Sequence, residues 1–389
     1  MMPHQPSQWI CAGRFPPPYD GQSLLTQELL ELLSPEFSFI RADATARPPE
    51  GRIYAPGRLR LRRIPEMFRY IHHLRWLTTR YPLPILYAIF SGNPLGHIRD
   101  CVTFAWAIPR RRPVVVWTHN ALLSLHASPL WHRTLHWLTR RATLFVFAGR
   151  SLYEPLRDIL PEEQIAIIPN LVRRALLCSQ TEVERKLAHA DVSSRLRLLF
   201  VGHMLPEKGG WQLLEAAFLL RRHGVPFQLT YVGGWVTSHD ASAFTRRIAE
   251  LGLSRQIVHH GSIRDPETLR QLYLSHHLFL LPTKHPTEAQ PTSILEALNA
   301  GCAVIGTPHA TLPEIIQPGV NGFLVLQHPR EIAEAIAHYW HNPNLWYSHA
   351  RAARQLFVER FHPDRIRQQW IELLRRVQQS IPELAQVTT

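Results

Sequence analysis

Two glutamates eight residues apart, Glu288 and Glu296, sit in the stretch TEAQPTSILEALNAGCAVIGTP. The E-x7-E spacing puts the first on a loop and the second in the first turn of a helix opening at Thr292 or Ser293. Such a junction aims unpaired backbone N–H groups and the positive end of a helix at a ligand, which suits phosphate. Structural roles compete: Ser293 and Glu296 also fit a capping box, and Glu288 fits a solvated loop acid. Lys208, in FVGHMLPEKGGWQLLEA, stands where a strand passes into a helix, and a cation there would neutralise a diphosphate, although the Walker spacing is absent. The chain has only three lysines, Lys186, Lys208 and Lys284, and the last two fall in loops at strand C-terminal ends. His119 follows VVVWT at the end of a central strand, a better place for a site residue than most of the 23 histidines occupy. No metal site is expected, because the histidines are scattered and lack paired carboxylates.

The elements that must position these residues alternate along the chain, which argues a parallel-sheet α/β protein. Strands are expected at 8–12, 37–41, 85–89, 113–118, 144–148 and 164–168 in the first half. In the second they are expected at 196–201, 227–232, 257–260, 278–281, 303–306 and 322–325. Helices fall between them, among them 23–33, 130–141, 209–222 and 292–300. The polar stretch 173–194 reads as a linker. The expected organisation is therefore a first doubly wound domain over 1–190, a second over 191–362, and a C-terminal helix and tail over 363–389. Two such halves would place ligands in a cleft facing the C-terminal ends of their strands.

With 389 residues, 45% of them hydrophobic and 19% charged, the chain has the composition of a globular protein of two domains. It carries no tandem repeat, and the start MMPHQPSQWICAGRF lacks the basic and apolar regions of a signal peptide. No apolar run approaches the roughly 20 residues of a membrane-spanning helix. The four cysteines, far apart in sequence, read as reduced thiols of a cytoplasmic protein. The net charge of +13 is concentrated in the first 195 residues, which hold 25 Lys and Arg against 15 Asp and Glu. Nucleic acid, an anionic membrane or an acidic substrate would each match that charge, as would a simple bias towards arginine.

The ordered pieces FVGH…PEKG, YVGG, HHGSI, LFLLPT, E-x7-E with LEALNAGCAVI, and PE…GVNGFLV resemble the family 4 retaining glycosyltransferases. The resemblance covers nearly the whole chain. It implies the GT-B fold, two Rossmann-like domains facing an interdomain cleft, and a metal-independent hexosyltransferase using a UDP- or GDP-sugar without a cofactor. Lys208 would hold the donor diphosphate, Glu288 the sugar hydroxyls and Glu296 the ribose. Backbone N–H groups over 290–293 would line phosphate and sugar, so Ala289, Gln290, Pro291, Thr292 and Ser293 join the donor set. Gly261 and Ser262 would border the base, and His119 would lie beside sugar and acceptor. FPPPYDGQS matches the family's Gly-rich first loop. Four places depart from the pattern. His203 replaces the usual arginine of the diphosphate site, Asp20-Gly21 replaces a double glycine so that only Gly21 carries over, Ala-Gln-Pro follows Glu288, and Leu171 follows IIPN.

A glycan or lipid-linked acceptor and a role in polysaccharide synthesis follow from the same resemblance. Other enzymes of this fold, a phosphorylase or a sugar-nucleotide epimerase, remain open, as does a non-catalytic basic binding protein. No RNA-binding signature is visible, so nucleic acid is not expected as a partner. The segment 59–80 reads as a basic amphipathic helix with Pro65 as its first residue. Phe68, Ile71, Leu74, Trp76 and Leu77 would form one apolar stripe, with cations at Arg58, Arg60, Arg62, Arg63, Arg69, Arg75 and Arg80. Such a helix would attach the protein to the inner face of the cytoplasmic membrane, or pack its stripe on the first sheet.

Overall fold

The structure, a computed structural model, describes residues 6–17, 19–45, 64–121 and 128–380. Among the described residues twelve strands form two six-stranded sheets. In the first, β1 (Ser7–Gly13), β2 (Phe37–Asp43), β3 (Ile85–Phe90), β4 (Val114–Thr118), β5 (Leu144–Phe147) and β6 (Ile165–Ile167) run in the order β2-β1-β3-β4-β5-β6. In the second, β7 (Leu196–Val201), β8 (Phe227–Val232), β9 (Ile257–His259), β10 (Leu278–Leu281), β11 (Ala303–Gly306) and β12 (Gly322–Leu324) run in the order β12-β11-β10-β7-β8-β9. Every ladder is parallel. The central strands are short apolar runs buried on both faces, as parallel sheets require. The strand order reverses between β1 and β3 in one sheet and between β7 and β10 in the other. Loops leaving these strands therefore diverge and open a crevice at each sheet's C-terminal edge.

The chain divides into two compact units, Met1–Leu171 with Thr287–Gln290 and Pro363–Thr389, and Val172–Pro286 with Pro291–His362. The first unit contains the helices α1 (Gly21–Leu33), α2 (Ile64–Arg80), α3 (Pro94–Val102), a π-helical turn at Thr103–Ala107, and α4 (Pro129–Thr139). The second contains α5 (Gln180–His189), α6 (Gly210–Arg222), α7 (Ser238–Glu250), α8 (Pro266–Ser275), α9 (Thr292–Asn299), α10 (Pro329–His341) and α11 (Pro343–Leu356). The last helix, α12 (Pro363–Gln379), returns to the first unit.

This division differs from the expected boundaries in three places: at 173–194, at Thr287–Gln290, which groups with the first unit, and at the last helix. The stretch 173–194 is not a bare linker. Ser179 and Glu182 cap α5 reciprocally, Val183 is buried, and Lys186 Nζ donates to Ala300 O at 2.7 Å and Tyr273 O at 3.1 Å. These contacts tie α5 to the second unit, so the boundary falls at Leu171 and not near Asp191. The helix α12 is part of the first core: Trp370 meets Trp117 edge-on at 5.3 Å, and Arg367 donates to Leu32 O and to Glu36.

Pleat alternation sorts the first sheet's side chains. Trp9, Cys11, Leu86, Val115, Trp117 and Val146 pack with α1 and α12. On the other face Tyr87 meets Phe104 of the π turn at 5.1 Å, and Phe90 meets Phe145 at 5.6 Å. The helix α2 begins at Ile64, one residue ahead of Pro65, and its apolar residues do not form one stripe. Ile71, Leu74 and Leu77 are buried with Tyr70 and Thr78, while Phe68 and Trp76 face solvent. Arg58, Arg60, Arg62 and Arg63 lie outside the described residues. Cys11, Cys178 and Cys302 are buried, Cys101 is half-buried, and none is paired. Among the described residues no helix is long and apolar enough to cross a membrane.

Candidate functional site

In the second unit the loops after β7 and β10 meet at the switch point. After β7, His203 is exposed and a 3-10 turn over Pro206–Lys208 delivers half-buried Lys208. Gly209 then takes φ 83° before α6 begins at Gly210. A Cβ on Gly209 would stand 2.3 Å from Pro282 O, so only glycine lets the Lys208 loop lie against the end of β10. The two loops are also stitched together: Lys284 N donates to Glu207 O at 2.7 Å, and Gln327 Nε2 bridges Glu207 O and Pro282 O.

A second contact of this kind joins the ends of β7, β8 and β9. A Cβ on Gly233, where φ is 156°, would lie 1.8 Å from Gly202 O. Gly233 N donates to Gly261 O at 2.8 Å, and Met204 N to Gly234 O at 3.0 Å. His203 and the Gly261-Ser262 pair are thus carried on loops whose bases are one backbone network.

The helix α9 opens at Thr292 after Pro291, and its N-terminus has no side-chain cap. Ser293 therefore does not cap, and the capping-box role for Glu296 is overturned. Glu296 begins the second turn of α9, not the first. It is 7% exposed, and its Oε2 accepts from Tyr273 Oη of α8 at 2.8 Å. Burial pushes the Glu296 carboxyl up from its ordinary value, while the nearby Arg173 guanidinium and the Tyr273 hydroxyl pull it back. Tyr273 is itself buried beside that carboxylate and stays protonated, its pKa well above the ordinary value. An uncapped positive helix end next to a held carboxylate offers N–H donors for an anion and an acceptor for hydroxyls. Neither Tyr273 nor Arg173 stood out in the sequence: one lies in an ordinary amphipathic helix and the other in the supposed linker.

The segment Thr287–Gln290 packs with the first unit, so Glu288 and Glu296 belong to different units. Glu288 is half-buried; Ala289, Gln290 and Pro291 are buried. The Gln290 side chain acts as a clamp. Its Oε1 accepts from Asn170 N at 2.6 Å, its Nε2 donates to Ala148 O at 2.9 Å, and its backbone O accepts from Asn170 Nδ2 at 2.9 Å. What Gln290 retains for a ligand is its backbone N–H.

At the first unit's strand ends, Asp20 caps α1 through a reciprocal pair with Ser23 and binds Arg14 Nη2 at 2.5 Å. Gly21 is the first helical residue, and a Cβ there would meet open space. Gln22 Nε2 reaches across to Ala88 O of β3 at 2.9 Å. His119 follows β4, its ring 4.1 Å from that of Trp117. Burial, and secondarily the Arg14 guanidinium, push its imidazole down to about 3, so it is neutral near pH 7. Neither of its ring nitrogens has a hydrogen-bond partner among the described residues. Such a group suits a ligand that brings its own hydroxyls. Among the described residues, no three His, Cys, Asp or Glu side chains gather as metal ligands would.

Residues 184–356, just under half of the chain, match the family described as glycosyl transferases group 1. Each of the two doubly wound units has the Rossmann-like topology of the GT-B fold. The chain is 18% identical to HepE of Anabaena, solved in complex with UDP, with a TM-score of 0.69 over 95% of this chain and 100% of that one. It is 16% identical to sucrose-phosphate synthase of Thermosynechococcus elongatus, with a TM-score of 0.74 over 96% and 100% of the two chains. Among curated proteins, the amylovoran biosynthesis glycosyltransferase AmsK of Erwinia amylovora is 26% identical over 146 residues. The putative colanic acid biosynthesis glycosyltransferase WcaL of Salmonella typhimurium is 25% identical over 148 residues. Each match spans 36% of this chain and 34% of the relative, about a third of its length.

Proposed function

We propose that the protein is a retaining hexosyltransferase that moves a sugar from a nucleoside-diphosphate donor to a glycan or lipid-linked acceptor in polysaccharide or glycoconjugate synthesis. The observation that carries this reading is the polar set of the second unit: the uncapped start of α9, the buried Glu296 and the pinned Lys208 loop, all within the group 1 glycosyltransferase segment. The diphosphate lies against the N–H groups of Thr292 and Ser293 with Lys208 as counter-cation. Glu296 accepts from the ribose hydroxyls, and Gly261 and Ser262 border the base. Glu288, beside Ala289 and the Gln290 N–H, serves the sugar, and neutral His119 hydrogen-bonds sugar or acceptor hydroxyls. His203 adds a second, titratable donor for phosphate.

In the reaction the bond from the anomeric carbon to the diphosphate oxygen breaks, and negative charge grows on the leaving group. Lys208 and the helix N–H groups are in place before that charge appears, so their stabilisation costs little reorganisation at the transition state. The acceptor oxygen bonds to the same face of the oxocarbenium-like carbon, and its proton passes to the departing phosphate oxygen. Charge on the phosphates is met by the protein, without an essential metal. The UDP and UDP-glucose bound to HepE make UDP-sugars the first donors to try.

A thermal-shift panel of UDP-, GDP- and ADP-sugars tests the reading. A ligand present at 100 times its dissociation constant adds about 2.7 kcal/mol of stability. Stabilisation by one nucleotide series, lost in Glu296→Ala, is expected, with the anomer fixed by product analysis. No stabilisation by any member, or hydrolysis without transfer to any acceptor, would overturn it.

A further inference from the structure

Of fourteen large apolar side chains exposed among the described residues, nine fall within 64–137, on α2, α3, the π turn and α4. These elements form one layer over the Tyr87 face of the first sheet and are tied to each other. Arg75 Nη1 donates to Trp106 O at 2.6 Å, with its guanidinium 4.7 Å from the Trp106 ring. Arg141 Nη2 donates to Phe104 O at 2.8 Å and to Ile108 O at 2.9 Å, and its guanidinium lies 5.5 Å from the Trp137 ring. His97 Nε2 pairs with Thr134 Oγ1 at 2.7 Å. Phe68, Trp76 and Leu130 are 50%, 56% and 63% exposed, and Ile98, Trp106 and Trp137 on the same elements are exposed too. Surface apolar residues scattered singly need no explanation, but a run of them on one helical layer does.

The charge on this layer is as uneven as its polarity. Residues 64–141 hold ten arginines and two acids, Glu66 and Asp100. Asp100 is buried against Arg99, Tyr87 and Ser91, which leaves Glu66, half-buried, as the acid near the surface. Arg69, Arg75, Arg80, Arg133 and Arg140 are exposed among the apolar tips.

We infer that this layer is a docking surface for an anionic lipid bilayer, seated through its apolar and aromatic tips and held by the arginines around them. The chemistry selects that occupant. A second copy of the same face would set arginine against arginine with hardly an acid to answer. A nucleic-acid backbone would satisfy the cations and stack on the rings, but would leave Ile98 and Leu130 against phosphate. A leaflet with anionic headgroups accepts both kinds of group, at adjacent depths. The surface differs from a single amphipathic stripe, since the inner face of α2 is already buried against the sheet.

Flotation of the full chain with vesicles tests this without reference to turnover. Recovery is expected with phosphatidylglycerol-containing vesicles and not with phosphatidylcholine alone. Arg69→Glu, Arg133→Glu and Arg140→Glu together should lower partitioning by about a hundredfold or more. The matched reversal Arg255→Glu, Arg330→Glu and Arg351→Glu, at exposed sites of the second unit, should leave partitioning near the parent's. Phe68→Ser, Trp76→Ser and Leu130→Ser together should cost at least roughly tenfold, with melting temperature unchanged because all three side chains face solvent. Equal recovery on neutral vesicles, equal loss in both arginine sets, or no flotation alongside RNA binding that the first set abolishes would each overturn the assignment.

Discussion

At the strand ends of the second unit, Glu296 is buried with the Tyr273 hydroxyl on it, and the Lys208 loop is pinned by a glycine against the end of β10. At the strand ends of the first unit, His119 sits beside Trp117 with both ring nitrogens lacking a partner among the described residues. The second unit supplies a partner for the Glu296 carboxylate, whereas the first leaves the His119 nitrogens for a ligand. A site whose groups are held before binding favours one ligand geometry and lowers the ordering cost. A site with unclaimed donors and acceptors depends on what the ligand brings. The difference fits a nucleotide of constant chemistry in the second unit and a more variable sugar or acceptor in the first.

The strongest way to break this contrast is Lys208→Ala. If the pinned lysine stabilises the leaving diphosphate, kcat/KM should fall by about 100- to 1,000-fold while circular dichroism and melting temperature stay as in the parent. Activity close to the parent's would remove Lys208 from the mechanism.

Next in size is the test of preorganisation itself. Tyr273→Phe takes one hydrogen bond from a buried carboxylate, so nucleotide affinity by calorimetry should weaken by about tenfold, and Glu296→Ala should weaken it further. Glu288→Ala should instead reduce turnover and leave nucleotide affinity near the parent's. If Tyr273→Phe binds nucleotide as the parent does, Glu296 is not held for its ligand by Tyr273.

A smaller effect concerns His119. Its native imidazole is held at about 3, against 6.5 ordinarily. Above pH 6.5 it is neutral in both folded and unfolded chains and contributes nothing to the pH dependence. As pH falls from 6.5 towards 3, the unfolded chain takes up a proton that the native site refuses, so stability declines. His119→Asn should therefore lose less melting temperature between pH 7 and pH 5 than the parent. The improvement is partial, because burial holds His97 and His276 at about 4 and His277 at about 3, with the same sign. A drop equal to the parent's would mean that His119 is not buried as described. Smallest of all is the effect of EDTA: transferase activity should be unchanged after chelation and dialysis, and restoration by Mg²⁺ or Mn²⁺ of activity lost to EDTA would contradict the metal-free scheme.

All twelve strands could be read in the sequence because buried parallel strands are compact apolar runs bounded by turns, a local property. The loops carrying Lys208 and Glu296 were legible for the same reason, since they follow such runs. What escaped depends on tertiary neighbours. Nothing in the sequence of α8 marks Tyr273 as the partner of a glutamate more than twenty residues on. The polar surface of α5 hid a helix that docks through Val183 and the Lys186 ammonium. In α2, residues two apart lie about 200° round the helix, so Trp76 points away from buried Leu74, and a list of apolar residues taken as one stripe mixed two faces.

The return of α12 to the first core has a consequence for the order of events during synthesis. Trp370 and its neighbours complete the layer over Trp117 and Val115, yet they leave the ribosome only after the whole stretch Val172–His362 has been made. At about 5–20 residues per second, the first sheet waits on the order of 10–40 s with one apolar face incompletely covered. The second core, by contrast, is contiguous apart from Thr287–Gln290 and has all its strands and helices in hand before α12 emerges. The last-made helix thus closes the first-made sheet, and a nascent chain that stalls before Pro363 presents that open apolar face to chaperones and proteases.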